Sequence, residues 1–183
     1  MNTDNTSATK AAKDRIIVAL DVFTYQEAID LVGALNDKVG MFKVGLQLFT
    51  SVGPKIVEQI IARGHKVFLD LKFHDTTNTI GKTVAAASKL GVEFISIHTS
   101  IGKDAIAQAV ANKGNSKLLA VTVPTSFTND QCARIYGSQC PDVVFRMAIE
   151  LIQSGVDGLI CAPTETELET IHKDPRFDEF ILV

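Results

Sequence analysis

The stretch Phe68-Leu69-Asp70-Leu71-Lys72-Phe73-His74-Asp75 sets charged residues within and just beyond an apolar run. In an extended strand successive side chains alternate between faces, so Asp70 and Lys72 share one face. Burying a carboxylate and an ammonium side by side has a desolvation cost that only mutual pairing or a function offsets. Asp75 adds a third charge just past the strand. On these residues alone a structural ion pair and a reaction centre are both open.

Working outward, the chain from Arg15 alternates short runs rich in Val, Ile and Leu with longer segments of helical period, one pair in roughly 25 residues. Strands are expected at 16–21, 41–45, 66–72, 94–98, 118–123, 158–162 and 180–183, and helices at 25–35, 54–63, 78–90, 103–112, 142–153 and 165–172. Apolar positions such as Ile56, Ile60 and Ile61, or Val144, Met147, Ala148 and Leu151, recur at the three-and-four spacing a helix needs to lie on a sheet. Gly64, Gly91, Gly114 and Gly155 each follow a helix where a left-handed cap is wanted.

Such βα units build either an open doubly wound sheet or a closed barrel. The first βα turn, Asp21-Val22-Phe23-Thr24, has no glycine-rich phosphate fingerprint, and polar residues gather at the carboxyl ends of several strands. The expected fold is therefore α/β, a (β/α)8 TIM barrel with about six and a half βα units in this chain. Eight units typically take about 250 residues, whereas this chain has 183. The expectation is an incomplete barrel domain over 15–183 behind a disordered polar tail at 1–14.

Hydrophobic residues make up 46% of the chain and charged residues 21%, which excludes wholesale disorder. The net charge is −3 and the basic residues are scattered, so the electrostatic footprint of a nucleic-acid binder is missing. No run approaches the roughly 20 apolar residues of a membrane span, and the first thirteen residues lack the apolar centre of a secretory signal. Cys132, Cys140 and Cys161 form no CxxC pair and have no histidine at zinc spacing. Their odd number argues against a complete disulfide framework and suits a reducing cytoplasm. A cytoplasmic domain acting on a small molecule is the reading, with neither nucleic acid nor membrane as partner.

Two further charges sharpen the site. Asp21 ends the first strand and Lys43 interrupts the apolar run Met41-Phe42-Lys43-Val44-Gly45, so both would converge on the rim that carries Asp70 and Lys72. Asp21 as a helix cap and Lys43 reaching out to water are the plainer alternatives. His98 ends the fourth strand and reads as a rim histidine.

Asp70-Leu71-Lys72-Phe73-His74-Asp75, followed by Asn78-Thr79, resembles the Asp-x-Lys-x-x-Asp signature of the orotidine 5′-phosphate decarboxylase family. Val18-Ala19-Leu20-Asp21 looks like that family's first strand, Phe42-Lys43-Val44-Gly45 like its second and Val121-Thr122-Val123-Pro124-Thr125-Ser126 like its fifth. The resemblance runs from about Arg15 to Val183. It implies decarboxylation of orotidine 5′-monophosphate to uridine 5′-monophosphate, the last step of pyrimidine synthesis, with no metal, flavin or pyridoxal cofactor. Lys72 is then the proton donor, set between Asp70 and Asp75 in a charge array begun by Lys43. Asp21 and Lys43 would hold the ribose, Thr125 and Ser126 would contact the pyrimidine, and Asn78 lies in the same binding segment. Asp75 and Thr79 would reach into a neighbouring subunit's site, which implies a homodimer.

This chain departs from the family in having Thr76-Thr77 where Ile-Pro is usual. The family's phosphate-gripping loops follow strands seven and eight, so the chain ending at Val183 is expected to be a fragment with little activity of its own. Two rivals remain: a magnesium-dependent sugar-phosphate decarboxylase or aldolase of the same barrel superfamily, and an inactive fragment.

Overall fold

The alternation of apolar residues along each strand buries both faces of one sheet, and helices cover only one of them. The computed structural model describes residues 12–162, 171 and 173–183. Its strands are β1 (Ile17–Ala19), β2 (Met41–Gly45), β3 (Lys66–Phe73), β4 (Phe94–His98), β5 (Lys117–Val121), β6 (Gly158–Ile160) and β7 (Ile181–Leu182). All pair in parallel and in chain order, β1-β2-β3-β4-β5-β6-β7. The helices between them are α1 (Tyr25–Ala34), α2 (Leu46–Val52), α3 (Lys55–Ala62), α4 (Thr77–Lys89), α5 (Lys103–Asn112), α6 (Asn129–Tyr136) and α7 (Cys140–Leu151). Sequential parallel strands joined through helices are the arrangement of the (β/α)8 barrel, of which seven strands are present as a curled sheet.

Phe42, Val44, Val67, Leu69, Ile95 and Ile97 belong to the main core, shared with the helices. The alternate residues Met41, Phe68, Phe94 and Leu119 form a second, smaller cluster with Ile17, Ile160 and Ile181. Within it the Phe68 and Phe94 rings meet edge to face at 5.9 Å. Burying a phenylalanine of this kind contributes about 1.5–3 kcal/mol. Two residues further along three of these strands, the inner face turns polar with Lys43, Asp70 and Ser96. The apolar cluster is thus the floor on which a charged layer stands.

Gly64, Gly91, Gly114 and Gly155 have φ of +84°, +80°, +55° and +83°, as expected of glycine caps. Gly158 is glycine for a different reason: a Cβ there would run into the backbone of Ile181, so the close pairing of β6 with β7 requires its absence.

Three expectations are corrected. The connection after β2 holds two helices where one was expected, because Gly53, at φ +77°, and Pro54 break it into α2 and α3. The β5–β6 connection likewise holds α6 before α7. Thr128 starts α6 with a capping box to Gln131. The odd cysteine count argues against a complete disulfide framework and suits a reducing compartment; Cys132 and Cys140 nevertheless form a disulfide with Cα atoms 5.3 Å apart, and Cys161 takes no part in it. The α6–α7 turn brings them together, and the Cys140 amide donates to Asn129 Oδ1 at 3.0 Å. An odd count excludes only complete pairing. The expected helix 165–172 lies outside the described residues apart from Ile171, which is buried. Among the described residues no helix is long and apolar enough to cross a membrane.

Candidate active site

Lys72 is the only non-glycine residue with positive φ among the described residues, at +52°. Strict alternation would have carried its side chain along with that of Asp70, and the backbone does not follow strict alternation. The β3–β4 register runs Phe68↔Phe94 and Leu69↔Ile95, then jumps to Phe73↔Ile97. Three residues of β3, Asp70 to Lys72, therefore stand opposite Ser96 alone. A bulge of this kind re-aims a side chain, and the two charges still meet: Lys72 Nζ donates to Asp70 Oδ2 at 2.6 Å.

The same carboxylate oxygen lies 3.4 Å from Lys43 Nζ, brought in from β2, and Lys43 Nζ is in turn 3.7 Å from Asp21 Oδ1 at the end of β1. The result is an alternating row, Asp21, Lys43, Asp70 and Lys72, across the carboxyl ends of three neighbouring strands. Asp21 caps no helix, since Thr24 starts α1 through a capping box with Glu27. Lys43 is held in the row rather than reaching out to water, its side chain 24% exposed.

Asp70 is the most enclosed member at 5% exposure. Burial pushes its pKa up, but the Lys72 hydrogen bond and charge, the Ser96 hydroxyl and the Lys43 charge outweigh it, so the carboxyl titrates below its ordinary value. Its second oxygen, Oδ1, is buried and accepts no hydrogen bond.

The remaining expected site residues lie on the loops and helix starts that follow β3 and β5. Asp75 is exposed at the head of α4, its Oδ1 accepting from the Thr76 amide at 2.7 Å, and this bond, with that to Thr79, lowers its pKa. Asn78 and Thr79 are exposed in the first turn of α4. Thr125 and Ser126 are exposed in the loop between β5 and α6, where the Phe127 amide closes a turn on Pro124 O at 2.9 Å. His98 packs edge to face against His74 at 5.4 Å, and His74 Nε2 lies 3.1 Å from Ser100 Oγ. Burial, followed by the charges of His74 and Lys72, lowers the His98 pKa and so favours the neutral ring. Sequence reasoning missed Ser96. The signal was present, since Phe94, Ser96 and His98 share one face of β4 and Ser96 is the small polar residue level with Asp70.

The family model described as orotidine 5′-phosphate decarboxylase / HUMPS family matches residues 14–183. The chain belongs to this family. An orotidine 5′-phosphate decarboxylase of Heliobacterium modesticaldum is 41% identical over 167 residues, covering 84% of this chain and 68% of that relative. One from Syntrophomonas wolfei is 38% identical over 178 residues, covering 91% and 74%. Among solved structures, the orotidine 5′-phosphate decarboxylase of Lactobacillus acidophilus superposes with a TM-score of 0.81 at 32% identity, over 91% of this chain and 78% of that one. The row of charges on β1 to β3 therefore stands in an orotidine 5′-phosphate decarboxylase family fold, at the strand ends where barrel enzymes carry their chemistry.

Proposed function

We propose that this chain decarboxylates orotidine 5′-monophosphate to uridine 5′-monophosphate in de novo pyrimidine biosynthesis. The observation that carries the reading is the Lys72 ammonium held on a buried carboxylate within the alternating row, in a chain of this family. Loss of carbon dioxide from C6 leaves an electron pair in the plane of the pyrimidine ring, where the π system cannot delocalise it. A fixed cation must meet that pair. An ammonium within about 4 Å contributes on the order of 4 kcal/mol at an effective dielectric near 20, with no solvent to reorient, and Lys72 then delivers its proton to C6. Asp70, ionised beside Lys72, acts on the substrate carboxylate by repulsion that is released as carbon dioxide leaves. The reaction needs no cofactor, because the ammonium supplies the positive charge.

In this reading Asp21 and Lys43 hold the ribose, Asn78 belongs to the same binding segment, and Thr125 and Ser126 meet the pyrimidine. The exposure of Asp75 and Thr79 at the head of α4 leaves them accessible to serve the site of a second copy in a homodimer. Residues 15–183 act as one domain in the cytoplasm, a compartment that favours the thiol forms of Cys132 and Cys140.

One rival is an inactive fragment, which absence of turnover would support; the other is magnesium-dependent chemistry on a sugar phosphate. Asp70 already shares its charge with two ammonium groups, which a dication would have to displace, and this favours the decarboxylase. The test follows the ultraviolet loss of orotidylate by the purified chain with chelator present. Undiminished turnover supports the proposal, whereas turnover of a sugar phosphate that chelator abolishes supports the magnesium-dependent rival.

A further inference from the structure

The kink at Lys72 needs something to hold it. An L-residue at φ +52° is disfavoured, and the register jump between Leu69 and Phe73 removes Lys72 from the regular ladder to β4. Its amide is not left bare: Lys72 N–H donates to the side chain of Ser96, with N to Oγ 2.8 Å. Ser96 is itself 0% exposed. No water competes for its hydroxyl, which accepts from the Lys72 amide and keeps a proton to donate. That hydroxyl also acts on Asp70, favouring the carboxylate. One buried side chain, directly opposite Asp70 on the neighbouring strand, thus holds the backbone of Lys72 and so stands behind the 2.6 Å ion pair.

We propose that Ser96 is a positioning residue for the decarboxylation, its hydroxyl fixing the left-handed turn of β3 that aims the Lys72 ammonium along Asp70. The inference rests on the reading that Lys72 is the proton donor. Ser96 touches no reacting atom; it acts through the Lys72 backbone and the Asp70 carboxylate. An alanine would leave the Lys72 amide unpaired in a closed space, and the strand would then relax toward regular extended pairing, carrying the ammonium away from its place. Displacement of a reacting group by about 1 Å costs on the order of 100-fold in rate.

Ser96→Ala is therefore expected to lower kcat about 10- to 100-fold with KM changed less than about 3-fold, in protein that still melts cooperatively. Ser96→Cys, of nearly the same volume but a weaker acceptor, is expected to give a smaller loss of the same kind, and it carries the test if the alanine variant does not melt cooperatively. A merely structural role would lower the melting temperature and leave the kcat to KM split untouched.

A second readout needs no turnover: the carboxyl resonance of Asp70 is titrated by NMR in parent and variant. The groups facing Asp70 are Lys43 from β2, Lys72 from β3 and His98 from β4, with Asp21 beyond Lys43 and His74 against His98. All are retained, so a higher Asp70 pKa in the variant, together with a Lys72 amide that exchanges faster, supports the role. Parent kcat and parent Asp70 titration in a folded variant would overturn it, as would a loss confined to KM. If the parent turns over orotidylate too slowly to compare, the outcome expected of a fragment, the kinetic comparison bears on the proposed function alone, and the NMR pair decides for or against Ser96.

Discussion

Replacing Lys72 by methionine removes the nearest cation from a carboxylate that is only 5% exposed, while keeping the unbranched stem and a non-glycine residue at φ +52°. The strain of that backbone conformation then cancels between parent and variant. At 2.6 Å and an effective dielectric near 20 the gross attraction is about 6 kcal/mol. The Lys72 side chain is 39% exposed, and its own desolvation and solvent screening reduce the net loss to about 2–3 kcal/mol at neutral pH. Lys43, at 3.4 Å, partly compensates. The pH dependence follows from Asp70. In the parent its folded pKa lies below the ordinary 3.8, so its contribution is present above that value and lost as pH falls through the lowered folded pKa. In Lys72→Met burial prevails, the folded pKa moves upward, and protonation relieves the uncompensated charge. The deficit is therefore full at pH 7 and shrinks by about pH 4. Urea unfolding followed by circular dichroism at both pH values, with equal m, measures it. A deficit of the same size at both pH values, or none at pH 7, would refute the reasoning.

The dimer reading predicts complementation. Lys72→Ala and Asp75→Asn each silence a site, but in a re-equilibrated equal mixture half of the dimers are mixed and each carries one intact site, so activity should return to about a quarter of the parent's. A mixture no more active than its components contradicts the shared site. Reducing Cys132–Cys140, which closes a loop of sequence separation 8, is expected to cost up to about 2.5 kcal/mol and lower the melting temperature by a few degrees. Thermal melts with and without a thiol reductant check this, and identical melts would show that the disulfide adds nothing to stability.

The βα rhythm was legible because both signals it needs are local: a period of two in the strands and of three to four in the helices. Asp21, Lys43, Asp70 and Lys72 were legible as a group for the same reason, since strand ends in a parallel sheet all arrive at one rim. The bulge at Lys72 was not. Strict alternation from Asp70 also places Lys72 on the inner face, so the right pairing came from an argument that the backbone does not obey. Ser96 escaped notice because its importance lies in a contact 24 positions away, to a backbone amide rather than to a side chain. The α6 start at Thr128 to Gln131 was readable as a capping box, whereas α2 begins directly at the end of β2 without a side-chain cap. The cysteine pair depends on how α6 turns into α7, which counting cysteines does not reveal.

The most direct test of the central claim compares orotidylate turnover by the parent chain with that of Lys72→Ala in the presence of chelator, once circular dichroism has shown both to be folded. Removing a preorganised ammonium worth about 4 kcal/mol should lower kcat/KM by about 1000-fold or more, with no effect of chelator on the parent. A folded Lys72→Ala variant that retains the parent's kcat/KM would contradict the assignment of Lys72 as the proton donor.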